Sequence, residues 1–243
     1  MTRQLIRMYY PASLILENKM VIDLGRVKGL CFDIDGTLSD TDDEWVSRMT
    51  ALFSHAPFLF TNGNPIAFAR WLVMVTESPM NGVYHLLDRL SLDDEFARLY
   101  SRLSQKRMRK PHPFQLMKGA RELLDLVQGN HVLTVVSARD SLSTQRFLDQ
   151  YELNTYFSKV VTSQTCEYTK PFPHPVRHAA QAMGLNPESC VMIGDTTVDI
   201  LAGKAAGAQT IGLLCGFGTE KELLKAGADI ILKDLIELKK LFE

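Results

Sequence analysis

The sequence predicts an α/β protein: a parallel sheet with flanking helices, interrupted near its start by an all-helical insertion. Three observations carry this. From about residue 112 onward, short β-rich runs alternate with helical patterns, as parallel sheets require. One further run of the same kind, VKGLCFDI at 27–34, stands far upstream of the others. The region between them, 41–111, carries helical stripes and almost no strand pattern.

The elements follow in order. In the first twenty residues Arg3 and Arg7 precede a short apolar stretch that Glu17, Asn18 and Lys19 break, and no clean small-residue cleavage site follows. This reads as an N-terminal extension packed on the core rather than a secretory leader. After the strand at 27–34, Trp45, Met49, Leu52 and Phe53 share one helical face. Asn64-Pro65 supplies an N-cap and first turn, and Asn62-Gly63-Asn64 reads as the turn joining two helices. Val83, Leu86, Leu87 and Leu90 repeat the helical stripe, as do Phe96, Leu99, Tyr100 and Leu103. The run Lys106-Arg107-Met108-Arg109-Lys110 suits a solvated helix end. Hinges fall at Ser39–Thr41 and around Lys110–Pro113. The expected division is therefore 1–39 with 112–243 for the α/β core, and 40–111 for the helical module.

Beyond the insertion the strands read as 132–137, 159–162, 190–194, 209–214 and 229–232. Between them Val176, Ala179, Ala180 and Met183 fall at helical spacing, with Pro175 suited to the first turn. Thr219 and Glu222 have capping-box spacing ahead of Leu223 and Leu224.

Composition narrows the function. With 27 Lys plus Arg against 28 Asp plus Glu, no global field favours nucleic acid or an anionic membrane. No apolar run is long enough to cross a bilayer. Cys31, Cys166, Cys190 and Cys215 are scattered without a CxxC pair, which suits buried, reduced thiols in a cytoplasmic protein.

Four segments stand at the C-terminal ends of expected strands, the edge where open parallel sheets bind ligands. They are Asp33-Ile34-Asp35-Gly36-Thr37-Leu38, then Ser137, then Lys170-Pro171, then Gly194-Asp195-Thr196-Thr197-Val198-Asp199. Carboxylates converging on one edge repel unless a cation sits among them. Asp33, Asp35, Asp195 and Asp199 therefore call for a hard divalent ion, and carboxylate oxygens with open water positions suit Mg2+. Arg139, two residues after Ser137, could reach a substrate or serve as an ordinary surface residue. The six histidines show no ligand spacing.

DIDGTL, a serine after a strand, Lys-Pro and GDxxxD, in that order, resemble the four motifs of the haloacid-dehalogenase-like superfamily. The stretch from Thr169 to Gly212 resembles its phosphoglycolate phosphatase-like branch. The resemblance implies a Rossmann-like core, a helical cap made by the insertion, and an active site with assigned roles. Asp33 would be the nucleophile, forming an acyl phosphate. Asp35 would protonate the leaving oxygen and then deprotonate the attacking water, its backbone carbonyl also binding metal. Backbone N–H groups around Gly36 and Thr37 would cradle phosphate. Ser137 would donate to the phosphoryl group, and Lys170 would face both Asp33 and the phosphoryl oxygens. Asp195 would ligate the metal, and Asp199 would ligate through water or orient its neighbours.

The expected activity is Mg2+-dependent hydrolysis of a small phosphorylated metabolite through an aspartyl phosphate. Dehalogenases of the superfamily lack the second carboxylate, so Asp35 argues against that branch. A Schiff-base hydrolase needs a cap lysine, and residues 41–105 contain none. A β-phosphoglucomutase-like phosphotransferase shares the Asp pair and stays open as the alternative, as does a non-catalytic phosphate-binding module. In the cap, arginines such as Arg48, Arg70, Arg89 and Arg98 are available for a second anionic group. Substrate identity and oligomeric state are not written in the sequence.

Overall fold

The computed structural model describes residues 22–40 and 114–243. The N-terminal extension, the helical stripes of the insertion, the four cap arginines, the turn at 62–64, the basic run at 106–110 and the hinge residues Thr41 and Lys110–Pro113 lie outside the described residues.

Six strands form one sheet: β1 (Gly29–Phe32), β2 (Val132–Val136), β3 (Phe157–Val161), β4 (Cys190–Gly194), β5 (Gln209–Leu213) and β6 (Ile230–Leu232). Every neighbouring pair is parallel, in the order β3-β2-β1-β4-β5-β6. Each strand matches an expected run to within two residues. β1 is two residues shorter at each end than its expected run, and β3 begins at Phe157 rather than Lys159. The pairing of β3 with β2 slips between Leu133 and Thr134, an irregularity that hides the alternation a sequence reading depends on.

Side chains alternate across the sheet. Leu30, Phe32, Leu133, Val135, Val191 and Ile193 pack on one face, with α1 (Ala120–Val127), α2 (Ser141–Gln150) and α6 (Leu235–Phe242). Cys31, Val136, Cys190 and Met192 pack on the other, with α3 (His174–Ala182) and α4 (Thr197–Ala206). A smaller group, Ile200, Leu223, Ala228 and Ile231, seats α5 (Glu220–Ala226) against α4 and β6. Burial on both faces explains why the strands read as near-continuous apolar runs. The two expected helix starts hold: Pro175 lies in the first turn of α3, and Thr219 and Glu222 form a reciprocal capping box on α5. Of the four free thiols, Cys31 and Cys190 are buried, whereas Cys166 and Cys215 are half-buried; the latter two lie on loops beyond strand ends.

After β1 the chain turns to β2 and β3 on one side, then β4 takes the other side of β1. This reversal opens a crevice at the carboxyl ends of β1 and β4, where doubly wound sheets bind ligands. Residues 38–40 are joined to residues 115–117 beside it. Asp40 N–H donates to the Gln115 carbonyl at 2.8 Å, Met117 N–H donates to the Leu38 carbonyl at 2.8 Å, and Ser39 bridges Leu116 in antiparallel sense.

The C-terminal helix α6 tests this account of the core. Asp234 accepts hydrogen bonds from the N–H groups of Ile236 and Glu237 at 2.9 Å each. Replacing Asp234 with Ala should lower unfolding free energy by about 1 kcal/mol, read as a reduced urea midpoint with unchanged slope.

Candidate active site

Asp33 follows β1 directly. Its N–H donates to the Ile193 carbonyl at 2.9 Å, which continues the pairing of β1 with β4 one residue past the strand. The turn that follows is tight: Leu38 and Ser39 both donate to the Ile34 carbonyl, at 2.9 and 2.7 Å. Gly36 takes a positive φ of 72°, and a β-carbon there would lie 2.3 Å from an Asp195 carboxylate oxygen. Glycine is thus demanded twice, by conformation and by space. The amides of Gly36 and Thr37, expected to face a phosphate, are turned inward instead. Gly36 N–H donates to the Ser39 carbonyl at 2.9 Å and Thr37 N–H to the Ile34 carbonyl at 3.2 Å. The physical reason is the tightness of the turn, which uses those donors to close on itself.

Asp33, Asp195 and Asp199 come together as the sequence predicts. One oxygen from each lies within 4.8 Å of the others, and all three residues are buried. Lys170 stands among them. Its ammonium donates to Asp33 at 2.7 Å and to Asp199 at 2.5 Å, itself only 3% exposed. Burial alone would lower the Lys170 pKa, but the charges of Asp199 and Asp33 outweigh it and hold the ammonium well above its usual range. Burial pushes the Asp33 carboxyl up to about 7; Lys170 pulls it down, and Asp199 and Asp35 push it further up.

Asp199 does two things. One oxygen receives Lys170, while the other accepts from Thr196 N–H at 3.1 Å and Thr196 Oγ1 at 2.6 Å in the capping box of α4. Asp195 is held by a different device. Phe217 N–H donates to Asp195 Oδ2 at 2.7 Å, and Gly218 N–H donates to its carbonyl at 3.0 Å. Thr37 Oγ1 reaches its other oxygen at 3.4 Å. A β-carbon on Gly216 would lie 2.0 Å from Asp195 Oδ2. This Gly216-Phe217-Gly218 loop after β5 was not singled out in the sequence; glycines bracketing an aromatic just past a strand end were its signal.

Ser137 follows β2, buried, with its N–H on the Val161 carbonyl at 2.9 Å. Its Oγ accepts from Arg139 N–H at 3.1 Å, so its own proton can be donated elsewhere. Asp35 lies apart from the carboxylate trio. Arg139 grips it with both arms of its guanidinium, Nε to Oδ2 at 2.6 Å and Nη2 to Oδ1 at 2.5 Å. Arg139 is not an ordinary surface residue, one of its two expected readings: its side chain is 11% exposed.

The donor set fits a hard divalent cation. Three buried carboxylates within one ligand sphere face one lysine, an excess of negative charge that a bound cation would balance.

Comparison with known proteins identifies the family. Residues 30–213 match the model of the haloacid dehalogenase-like hydrolase family, and the chain belongs to that family. Among curated relatives, Pyrophosphatase PpaX of Anoxybacillus flavithermus is 26% identical over 217 residues, covering 87% of this chain and 95% of that protein. A phosphoglycolate phosphatase of Neisseria meningitidis is 27% identical over 205 residues, covering 79% and 82%. Among solved structures, a haloacid dehalogenase-like family protein of Streptococcus pneumoniae superposes with a TM-score of 0.62 at 22% identity, over 90% of this chain and all of that one. A β-phosphoglucomutase candidate from Thermotoga maritima gives 0.60 at 20% identity, over 88% and 97%. Among the described residues no helix is long and apolar enough to cross a membrane.

Two outcomes follow. Gly216→Ala should weaken divalent-cation binding at least tenfold, by calorimetry, in a protein that still unfolds cooperatively; unchanged affinity would mean the loop does not hold Asp195. Cation affinity should also fall as pH drops below about 7, approaching tenfold per pH unit, because a proton on Asp33 competes with the ion.

Proposed function

We propose that this protein is a Mg2+-dependent phosphatase that hydrolyses a small phosphomonoester through a phosphorylated Asp33. The observation that carries the reading is the buried Lys170 bridging Asp33 and Asp199, with Asp195 in the same cluster. A lysine so placed favours the anionic form of a buried carboxylate and presents positive charge where phosphoryl oxygens would gather. Fold alone would not decide the chemistry; this set of side chains supports phosphoryl transfer.

Each residue then has a task. An Asp33 oxygen attacks phosphorus, the new O–P bond forms and the bond to the leaving oxygen breaks. Asp35 gives its proton to that leaving oxygen. In the second half, Asp35 takes a proton from a water molecule as the water attacks the phosphoryl group, freeing inorganic phosphate and Asp33. Ser137 and Lys170 hold the phosphoryl oxygens, while Gly36 and Thr37 shape the turn that presents Asp33 and Asp35. Asp33, Asp195 and the Asp35 carbonyl would hold the cation, with Asp199 orienting Lys170. Bound there, the cation would screen the nucleophile from the anionic ester.

The substrate class proposed is a small phosphoester carrying a second anionic group. Two relatives point this way by name, one a phosphoglycolate phosphatase and the other a pyrophosphatase. In each of those compounds a second anion stands near the phosphoryl group. The helical insertion, as a cap over the site, would admit small metabolites and exclude folded phosphoproteins.

The test is steady-state kinetics across phosphoglycolate, pyrophosphate, glucose phosphates, nucleoside monophosphates and a phosphopeptide. Higher kcat/KM on the first two is expected. Interconversion of glucose phosphates without phosphate release would instead make the protein a phosphotransferase, and no turnover of any ester would make it a binding module. Exhaustive EDTA treatment should abolish activity, with Mg2+ restoring it. Asp33→Asn should lower turnover by about 10⁴-fold or more while leaving the circular dichroism spectrum and melting midpoint near wild type; a wild-type rate would mean the nucleophile lies elsewhere.

A further inference from the structure

Arg139 is held more firmly than a surface residue needs. Its carbonyl accepts from Ser163 N–H at 3.0 Å and Ser163 Oγ at 3.1 Å. The next residue, Asp140, N-caps α2 by accepting from Leu142 and Ser143, both at 3.0 Å. The guanidinium carbon then sits 4.8 Å from the ring centre of Phe114 and 5.7 Å from that of Phe147. Those rings stack edge-to-face on each other at 5.8 Å, and Phe147 is fully buried. Backbone and guanidinium plane are thus both fixed before the fork meets its partner.

That partner is Asp35. The contact is bidentate, across a sequence separation of 104 residues. An arginine fork meeting a carboxylate edge-on sets the plane of the carboxyl group and its torsion, which a single-point contact cannot do. Nη2 also reaches Ser39 Oγ at 3.5 Å, and the Arg139 N–H holds Ser137 Oγ. One residue therefore links the proposed acid–base carboxyl to the serine proposed to bind phosphate.

We infer that Arg139 is a positioning residue for Asp35, aiming the carboxyl that serves first as general acid and then as general base. The inference rests on the reaction proposed above. Arg139 touches neither the reacting bond nor the nucleophile; it acts through the carboxyl it orients. The alternative is that the fork only staples the turn at 33–39 to the loop after β2. The two differ in a way that leaving groups reveal. Proton delivery matters greatly for an alkoxide leaving group and little for a nitrophenolate, which departs unprotonated. A misaimed acid slows the first far more than the second, whereas a loosened turn slows both alike.

The experiment measures kcat/KM for wild type, R139K and R139A with Mg2+ across phosphoesters of rising leaving-group pKa, from dinitrophenyl phosphate to an alkyl phosphate. The quantity reports steps up to formation of the phosphoenzyme. The expected loss in R139A is within about tenfold for dinitrophenyl phosphate and about 10²-fold or more for the alkyl ester. R139K, which can offer only one point of contact, should fall between, and it supplies the reading if R139A does not fold. In an Asp35→Asn background, R139K should add less than twofold, since the group it aims is gone. An equal loss across all leaving groups, or full additivity with Asp35→Asn, would overturn the positioning role while leaving the phosphatase reading intact. A wild type that turns over none of the esters would overturn both.

Discussion

Three carboxylates gathered in a buried space repel one another, and the arrangement persists because Lys170 stands between two of them. Its ammonium is nearly inaccessible and bonded to Asp33 and Asp199 together. Removing either partner of such a pair leaves an uncompensated buried charge, which costs several kcal/mol. The constraint reaches outward. Asp199 can face Lys170 only because the capping box at the start of α4 holds its other oxygen. Gly194 must lack a β-carbon, since one would lie 2.3 Å from the Asp199 carboxyl carbon. The strand order matters too, because β1 and β4 must be neighbours for Asp33 and Asp195 to meet.

The lysine neutralises at most part of the negative charge. Burial pushes the Asp33 carboxyl up against the opposing pull of Lys170. A divalent cation bound in this cluster would favour the carboxylate form. Asp195 is cradled by Phe217 N–H and hemmed in by glycines. Asp35 is withdrawn from this cluster by Arg139. Two carboxylates only two residues apart thus receive different environments, one beside Lys170 and the other beside Arg139, an arrangement suited to two distinct chemical tasks.

Much of this was legible in the sequence. The parallel sheet followed from apolar runs at regular spacing, and the site followed from carboxylates where those runs end. Their convergence could be argued because ligands gather at one sheet edge whatever the loop details. The partners were harder to read. Nothing local in the sequence ties Arg139 to Asp35, since the contact joins two strand-end loops far apart in the chain. The dual role of Asp199 was half visible, because a carboxylate in a first helical turn is expected on dipole grounds alone. The inward amides of Gly36 and Thr37 depend on how tightly the turn closes, which composition does not encode. The Gly216 and Gly218 requirement comes from a backbone approaching a side chain of another loop, a contact without a periodic signature.

The central claim is that Asp33 carries the phosphoryl group. Acid-quenching the enzyme during turnover of an activated phosphoester, then mapping its peptides by mass spectrometry, reads this directly. The account predicts one phosphoryl group per chain on the peptide containing Asp33, labile to hydroxylamine, and none in Asp33→Asn. A phosphoryl group on another residue, or its persistence in Asp33→Asn, would contradict it.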